Sequence, residues 1–247
     1  MATATPRAPV AAPTFVRLLT RLADADLPRA PEALAGRLGQ WIDWSRAVAL
    51  STALDGRLPR PARHVPDFDA DEDAACARAR RLLADAIAAD PALAVPASPD
   101  TRAPTEFAPL RACYLVHQRA MQGTTGRLRG RLRDMLTKAS PALARLAEVD
   151  AVMEQAISPR EHALLAGIPD LLGVRFDRLQ AAAHPAPRRP RTRRGADPAP
   201  PREDGPRSPA SAAWLDTFRL DMRSVLLAEL DVRFSPIDAL LAALRTR

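Results

Sequence analysis

Aromatic residues make up only 4% of this 247-residue chain: six Phe, three Trp and one Tyr. Strands favour aromatic and β-branched side chains, so this shortage argues against a sheet protein. Glycine is also sparse, at 10, while the 25 prolines gather at segment ends, as expected for helices separated by stiff breaks. There are two cysteines, Cys76 and Cys113, far apart and in no C-x-x-C pattern. That excludes a disulfide framework and points to structural thiols in a reducing compartment. No apolar run approaches the roughly 18 residues of a membrane-spanning helix. The stretch "MATATPRAPVAAPTF" has no apolar core long enough for a secretory signal. The expectation is a soluble cytoplasmic protein with no span of its own, able to attach to a membrane protein.

Alanine dominates the 47% hydrophobic fraction. Ala and Leu lose little side-chain freedom in a helix, so the chain is expected to be all-α. Net charge is +7, and Lys138 is the only lysine. Guanidinium groups bind phosphate bidentately, so excess Arg fits phosphate recognition. A GC-rich codon bias, which raises Ala, Arg and Pro together, accounts for it more simply.

Residues 1–13 read as a disordered tail. A helical region is expected over 14–89. Thr14 caps a helix carrying Phe15, Leu18, Leu19 and Leu22 at i, i+3, i+4, i+7. A second stretch holds Leu34, Leu38, Trp41, Ile42, Val48, Leu50 and Leu54, divided near Asp43. A third opens on Asp67, Asp69, Asp71, Glu72 and Asp73 and continues into Arg78, Arg80 and Arg81, an order that suits the helix dipole. The EF-hand glycine is missing there, so a helix start is preferred to a cation loop.

Residues 90–104 read as a linker. Residues 105–183 read as a long antiparallel hairpin resembling a coiled coil. Its seam is Phe107, Leu110, Tyr114, His117, Met121, Leu128 and Met135, weakened by Thr124, Arg131 and Gly123, Gly126 and Gly130. Ser140-Pro141 starts a new helix, and "SPRE" at Ser158 to Glu161 repeats the device. The following stripe is expected to bend at Pro169. Residues 184–209 carry eight prolines and seven arginines and no aromatic, which reads as a disordered linker. Residues 210–247 form C-terminal helices that pack back on the bundle. Ser235-Pro236 is expected to end the first of them, and Ile237, Leu240, Leu241 and Leu244 to form a short last one.

Chemical motifs are missing. Among His64, His117, His162 and His184 no two are at i, i+4, and no H-E-x-x-H occurs. Cys113 and His117 are four apart and could form half a metal site, but a packed seam histidine is the simpler reading. "GTTGRLRGRLR" at Gly123 to Arg133 lacks both the ending of a P-loop and a preceding strand. No catalytic residue, cofactor or metal is assigned, and no enzyme is expected.

"TFVRLLTRLADADLP", "GRLGQWIDWSRAVALSTAL", "ASPALARLAEVDAVMEQAISPREHALLAGIPDLL" and "WLDTFRLDMRSVLLAELDVRFSPIDALLAAL" are similar to the bacterial family known only as domain of unknown function 3348. The resemblance spans most of the chain apart from 184–209 and lies in helix patterns. It implies a helical protein with no assigned activity. It further implies a neighbour in the form of a membrane protein with a long coiled-coil tail, and a place as cytoplasmic accessory of an envelope complex.

Two roles follow. The first is a non-enzymatic scaffold pairing with another helical protein or with a second copy. Its candidate partner residues are Phe107, Leu110, Tyr114, Met121, Leu226, Leu230 and Phe234. The second is nucleic-acid binding through Arg-rich segments 127–133 and 188–194. Its phosphate contacts would be Arg127, Arg131, Arg188, Arg189, Arg191, Arg193 and Arg194. No aromatic for base stacking lies in either segment, which disfavours the second role.

Overall fold

The structure, a computed structural model, describes residues 14–23, 43–57, 68–95, 106–184 and 213–246. The expected tail 1–13, Trp41 and Ile42, and the arginines of 188–194 lie outside the described residues. Seven α-helices and one 3-10 turn occur among the described residues, with no strand. The helices are α1 (Thr14–Ala23), α2 (Trp44–Asp55), α3 (Ala70–Ala89), α4 (Ala108–Ala139), α5 (Pro141–Ala166), α6 (Ile168–Ala183) and α7 (Ala213–Arg245). The 3-10 turn is Pro91–Leu93. The chain is all-α.

Ends of helices follow local chemistry. Asp69 caps α3 by accepting from the amides of Asp71 (2.9 Å) and Glu72 (3.3 Å). Asp43 caps α2 through the Arg46 amide. Ser140 ends α4 in extended backbone and caps α5, its Oγ accepting from Leu143 N at 3.2 Å. A single residue thus reverses the chain. Cross-contacts pair 118 with 165, 129 with 154 and 133 with 150, so α4 and α5 run antiparallel.

The third side of this hairpin is α7, about 50 Å long at 1.5 Å per residue. It buries Leu215, Phe218, Met222, Val225, Leu226, Leu230, Phe234, Ile237, Leu240, Leu241 and Leu244, one stripe at helical spacing. Helix α3 lies antiparallel to α7, with Arg80 on Asp231 and Asp238 and Arg245 on Asp73. At the opposite end Phe107, Phe176, Phe218 and Trp214 form a group with ring centroids 5.0–5.9 Å apart, edge-to-face except for the tilted pair Phe107–Phe176. Gly173 makes room for it: a Cβ there would lie 3.2 Å from the Phe107 ring.

Four expectations are corrected. Ser235-Pro236 does not turn the chain, and α7 runs unbroken through Pro236. An interior proline costs about 3 kcal/mol, but Phe234, Ile237, Leu240 and Leu241 continue the buried stripe across it. Their burial, roughly 1.5–3 kcal/mol each, outweighs the break. Pro159 likewise sits inside α5, between buried Ala156 and Leu165. The stripe after it breaks at Gly167, leaving Pro169 in the first turn of α6. The linker expected over 90–104 holds a 3-10 turn at Pro91–Leu93 that buries Leu93, and residues 96–104 lie outside the described residues.

Phe218→Ala is expected to lower unfolding free energy by about 3–5 kcal/mol in urea titration, as for other buried aromatics. Leu82→Ala, at a site 63% exposed, should change it by no more than about 0.5 kcal/mol.

Candidate functional site

The residues expected to form a partner-binding seam are spent inside the chain. Leu110, Tyr114, Met121, Leu226, Leu230 and Phe234 are buried, and Phe107 packs on Phe176 and Phe218. Helix α7 supplies the side that the seam required. The six buried ones are not open to a partner, and Phe107 is half-buried.

The seam also encloses a charge. Glu229 has no solvent exposure. Arg233, one turn on, donates to it at 2.8 and 2.7 Å. Tyr114 Oη donates at 2.6 Å and Gln118 Nε2 at 3.2 Å. Burial first, then the Glu229 charge, pushes the Tyr114 phenol far up, so it stays a donor. The same Gln118 amide reaches the Leu165 carbonyl of α5 at 3.0 Å. This network was missed in the sequence because an i, i+4 Glu-Arg pair has the same pattern on a wet face as in a core.

The helical arginines are largely committed internally. Arg129 holds Asp150 bidentately (2.9 and 2.7 Å), and Arg133 shares that carboxylate at 2.6 Å. Both also reach Glu154. Arg131 pairs with buried Glu72 at 2.8 Å. Arg127 is exposed and donates to Thr124 Oγ1. Burial alone would raise the Asp150 carboxyl, but hydrogen bonds and charge from Arg129 and Arg133 hold it below its ordinary value.

Beside this ladder, α4, α5 and α7 enclose a cleft of about 220 Å³ where the apolar stripe of α4 lapses at Gly126. Pro236 and Ser158, from the two Ser-Pro steps, both line it. His162 in its wall donates from Nδ1 to the Ser158 carbonyl at 2.7 Å. Its Nε2 is then the acceptor for the Gln122 amide.

Asp90, between α3 and the 3-10 turn, meets the face of α4 that carries Cys113 and His117. Asp90 Oδ1 accepts from Ala92 N at 2.9 Å. Its Oδ2 accepts from His117 Nε2 at 2.8 Å and from Cys113 Sγ at 3.3 Å. Burial would raise the Asp90 carboxyl, yet the donors Ala92, His117 and Cys113 bring it below its ordinary value. Burial, then Asp90, pushes the Cys113 thiol up to about 12. Among the described residues, these three side chains could hold a metal: their donor atoms all lie within 4.8 Å of one another. The sequence showed two of them, while Asp90 was hidden in the expected linker. The other thiol, Cys76, is buried and pushed up to about 11 by burial and then by Glu72.

The outer surface carries one unusual helix. Helix α2, "WSRAVALSTALD", has apolar residues around its whole circumference but buries only Ala53. It lies on α5, where Arg145 donates to the Leu54 carbonyl. Trp44 is 82% exposed, Val48 47% and Leu54 50%. Trp44 and Val48, one turn apart, point away from Ala53.

No helix among the described residues is long and apolar enough to cross a membrane. These features define an all-α bundle closed by a buried ionic network, with one helix lying apolar on its outside. The chain belongs to the family described as Protein of unknown function (DUF3348), which it matches over residues 1–246. Nothing among curated proteins or solved structures matches it.

Asp150→Asn removes the charge that Arg129 and Arg133 share and replaces one of its two accepting oxygens with an amide donor. A hydrogen bond to a charged group contributes about 1.5–3 kcal/mol, and a loss of that size is expected at neutral pH. The depressed carboxyl stabilises the fold above its unfolded pKa of about 3.9, and that stability is lost as pH falls through the lower folded value. Unfolding titrations of both chains against pH should therefore show the gap closing in acid.

Proposed function

We propose that this protein is a non-enzymatic helical adaptor that docks another helical protein on the outer face of α2. The observation that carries the reading is the exposure of Trp44 and Val48, one turn apart, on a helix with apolar residues around its circumference. A helix of that composition is ordinarily covered on both faces. Among the described residues only α5 covers it. Tryptophan is also the residue most enriched where binding energy concentrates, because it removes much apolar surface from water at little entropic cost.

The partner is a protein with an apolar helical stripe. The family resemblance supports placing the adaptor in the cytoplasm, beside a membrane protein whose coiled-coil tail offers such a stripe. The lack of a membrane-crossing helix among the described residues fits that place. The nucleic-acid reading is weaker, since Arg129, Arg131 and Arg133 already have acidic partners.

A photo-crosslinking residue at Val48 in the native host tests the proposal. The expected result is a defined protein adduct that survives nuclease and high salt, with no such adduct from a crosslinker at exposed Leu82. Trp44→Glu should weaken the isolated complex roughly 30-fold or more, as for loss of a binding hot spot. Equal adducts at both positions, or recovery that nuclease abolishes, would overturn it. An adduct of two copies of this chain would make the partner a second copy.

A further inference from the structure

We infer that Asp90, Cys113 and His117 form a binding site for a zinc-class divalent cation. The donors are Asp90 Oδ2, Cys113 Sγ and His117 Nε2, and the fourth position is left to solvent. The set contains one oxygen, one nitrogen and one sulfur. Calcium and magnesium take oxygen ligands, whereas thiolate with imidazole selects a borderline-soft ion such as Zn²⁺.

The spacing agrees with the chemistry. At zinc bond lengths of about 2.0–2.3 Å, the edges of a ligand tetrahedron measure about 3.3–3.6 Å. Here Oδ2 stands 2.8 Å from the imidazole nitrogen and 3.3 Å from the sulfur. Those two edges need shifts of about half an ångström or less, and the third, from sulfur to imidazole nitrogen, lies within 4.8 Å.

The frame is already in place. Cys113 and His117 are fixed to one face of α4 by their i, i+4 spacing. Asp90 is oriented by its other oxygen, which the Ala92 amide holds. On binding, the thiol loses its proton to solvent, and the Nε2 proton of His117 is replaced by one on Nδ1. The Asp90 side chain is 23% exposed and that of His117 9%, so the approach for an ion and the open position lie on the Asp90 side. A bound ion would tie the Pro91–Leu93 turn to α4.

The test uses the full chain, stripped of metal and then titrated with Zn²⁺ or Co²⁺ alone. One equivalent of Zn²⁺ should be withdrawn from a chromophoric chelator. Co²⁺ should give a thiolate-to-cobalt charge-transfer band and the visible absorption of a tetrahedral site. Cys113→Ser and His117→Gln should each weaken binding by more than about 100-fold, since even residues that merely support a ligand cost 10–100-fold. Should Cys113→Ser not fold, Cys76→Ala decides, because that chain retains one thiol and must keep the cobalt–thiolate band. Absence of stoichiometric binding, undiminished binding in both ligand variants, or loss of the band in Cys76→Ala would each overturn the inference.

Discussion

The structure depends on a single carboxylate with no access to water. Glu229 lies in the buried stripe of α7, where Val225, Leu226 and Leu230 beside it are apolar and Arg233 is its one charged neighbour. A lone charge in that position would cost several kcal/mol, more than most domains can spare. It is tolerated because Arg233, Tyr114 and Gln118 converge on it. These partners come from two helices, and Gln118 extends the link to the backbone of α5. Leucine and alanine surfaces can slide past one another at little cost. A buried charge with four directional contacts permits one register, so α4, α5 and α7 are locked together at this point.

Around that lock the chain economises on bulk. Four rings cluster at one end, while elsewhere single aromatics such as Tyr114 and Phe234 sit among mostly aliphatic side chains. The arginines take over part of the positioning. Arg129 and Arg133 share Asp150, Arg175 reaches Asp221 and Arg245 reaches Asp73 across neighbouring helices. A planar fork can serve two carboxylates in a fixed geometry, which an ammonium cannot. This gives the near-absence of lysine a structural use, whatever its genetic origin.

Helices were legible in the sequence wherever a local signal existed. Ser140-Pro141, Asp69 and the spacing of Phe15 and Leu22 each act over one turn, and their helices are where that chemistry puts them. Ser158-Pro159 and Ser235-Pro236 carry the same local signal but sit within stripes that neighbouring helices bury. Tertiary burial there exceeds the local preference, and no window of a few residues contains that information. The seam from Phe107 to Met135 was visible as a seam, but its occupant, α7, lies about a hundred residues further along. Of the ligand-like cluster, Cys113 and His117 share a helix and could be seen together. Asp90 joins them only because a short turn folds back, and turns have no period.

Helix α7 follows all its neighbours in the order of synthesis, yet it fills the centre between them. Until it emerges, the hairpin of α4 and α5 has an open apolar trough and an unanswered Tyr114 and Gln118. The bundle therefore cannot close progressively from its beginning, as many chains do. A translation product interrupted before α7 would show that trough to chaperones and proteases.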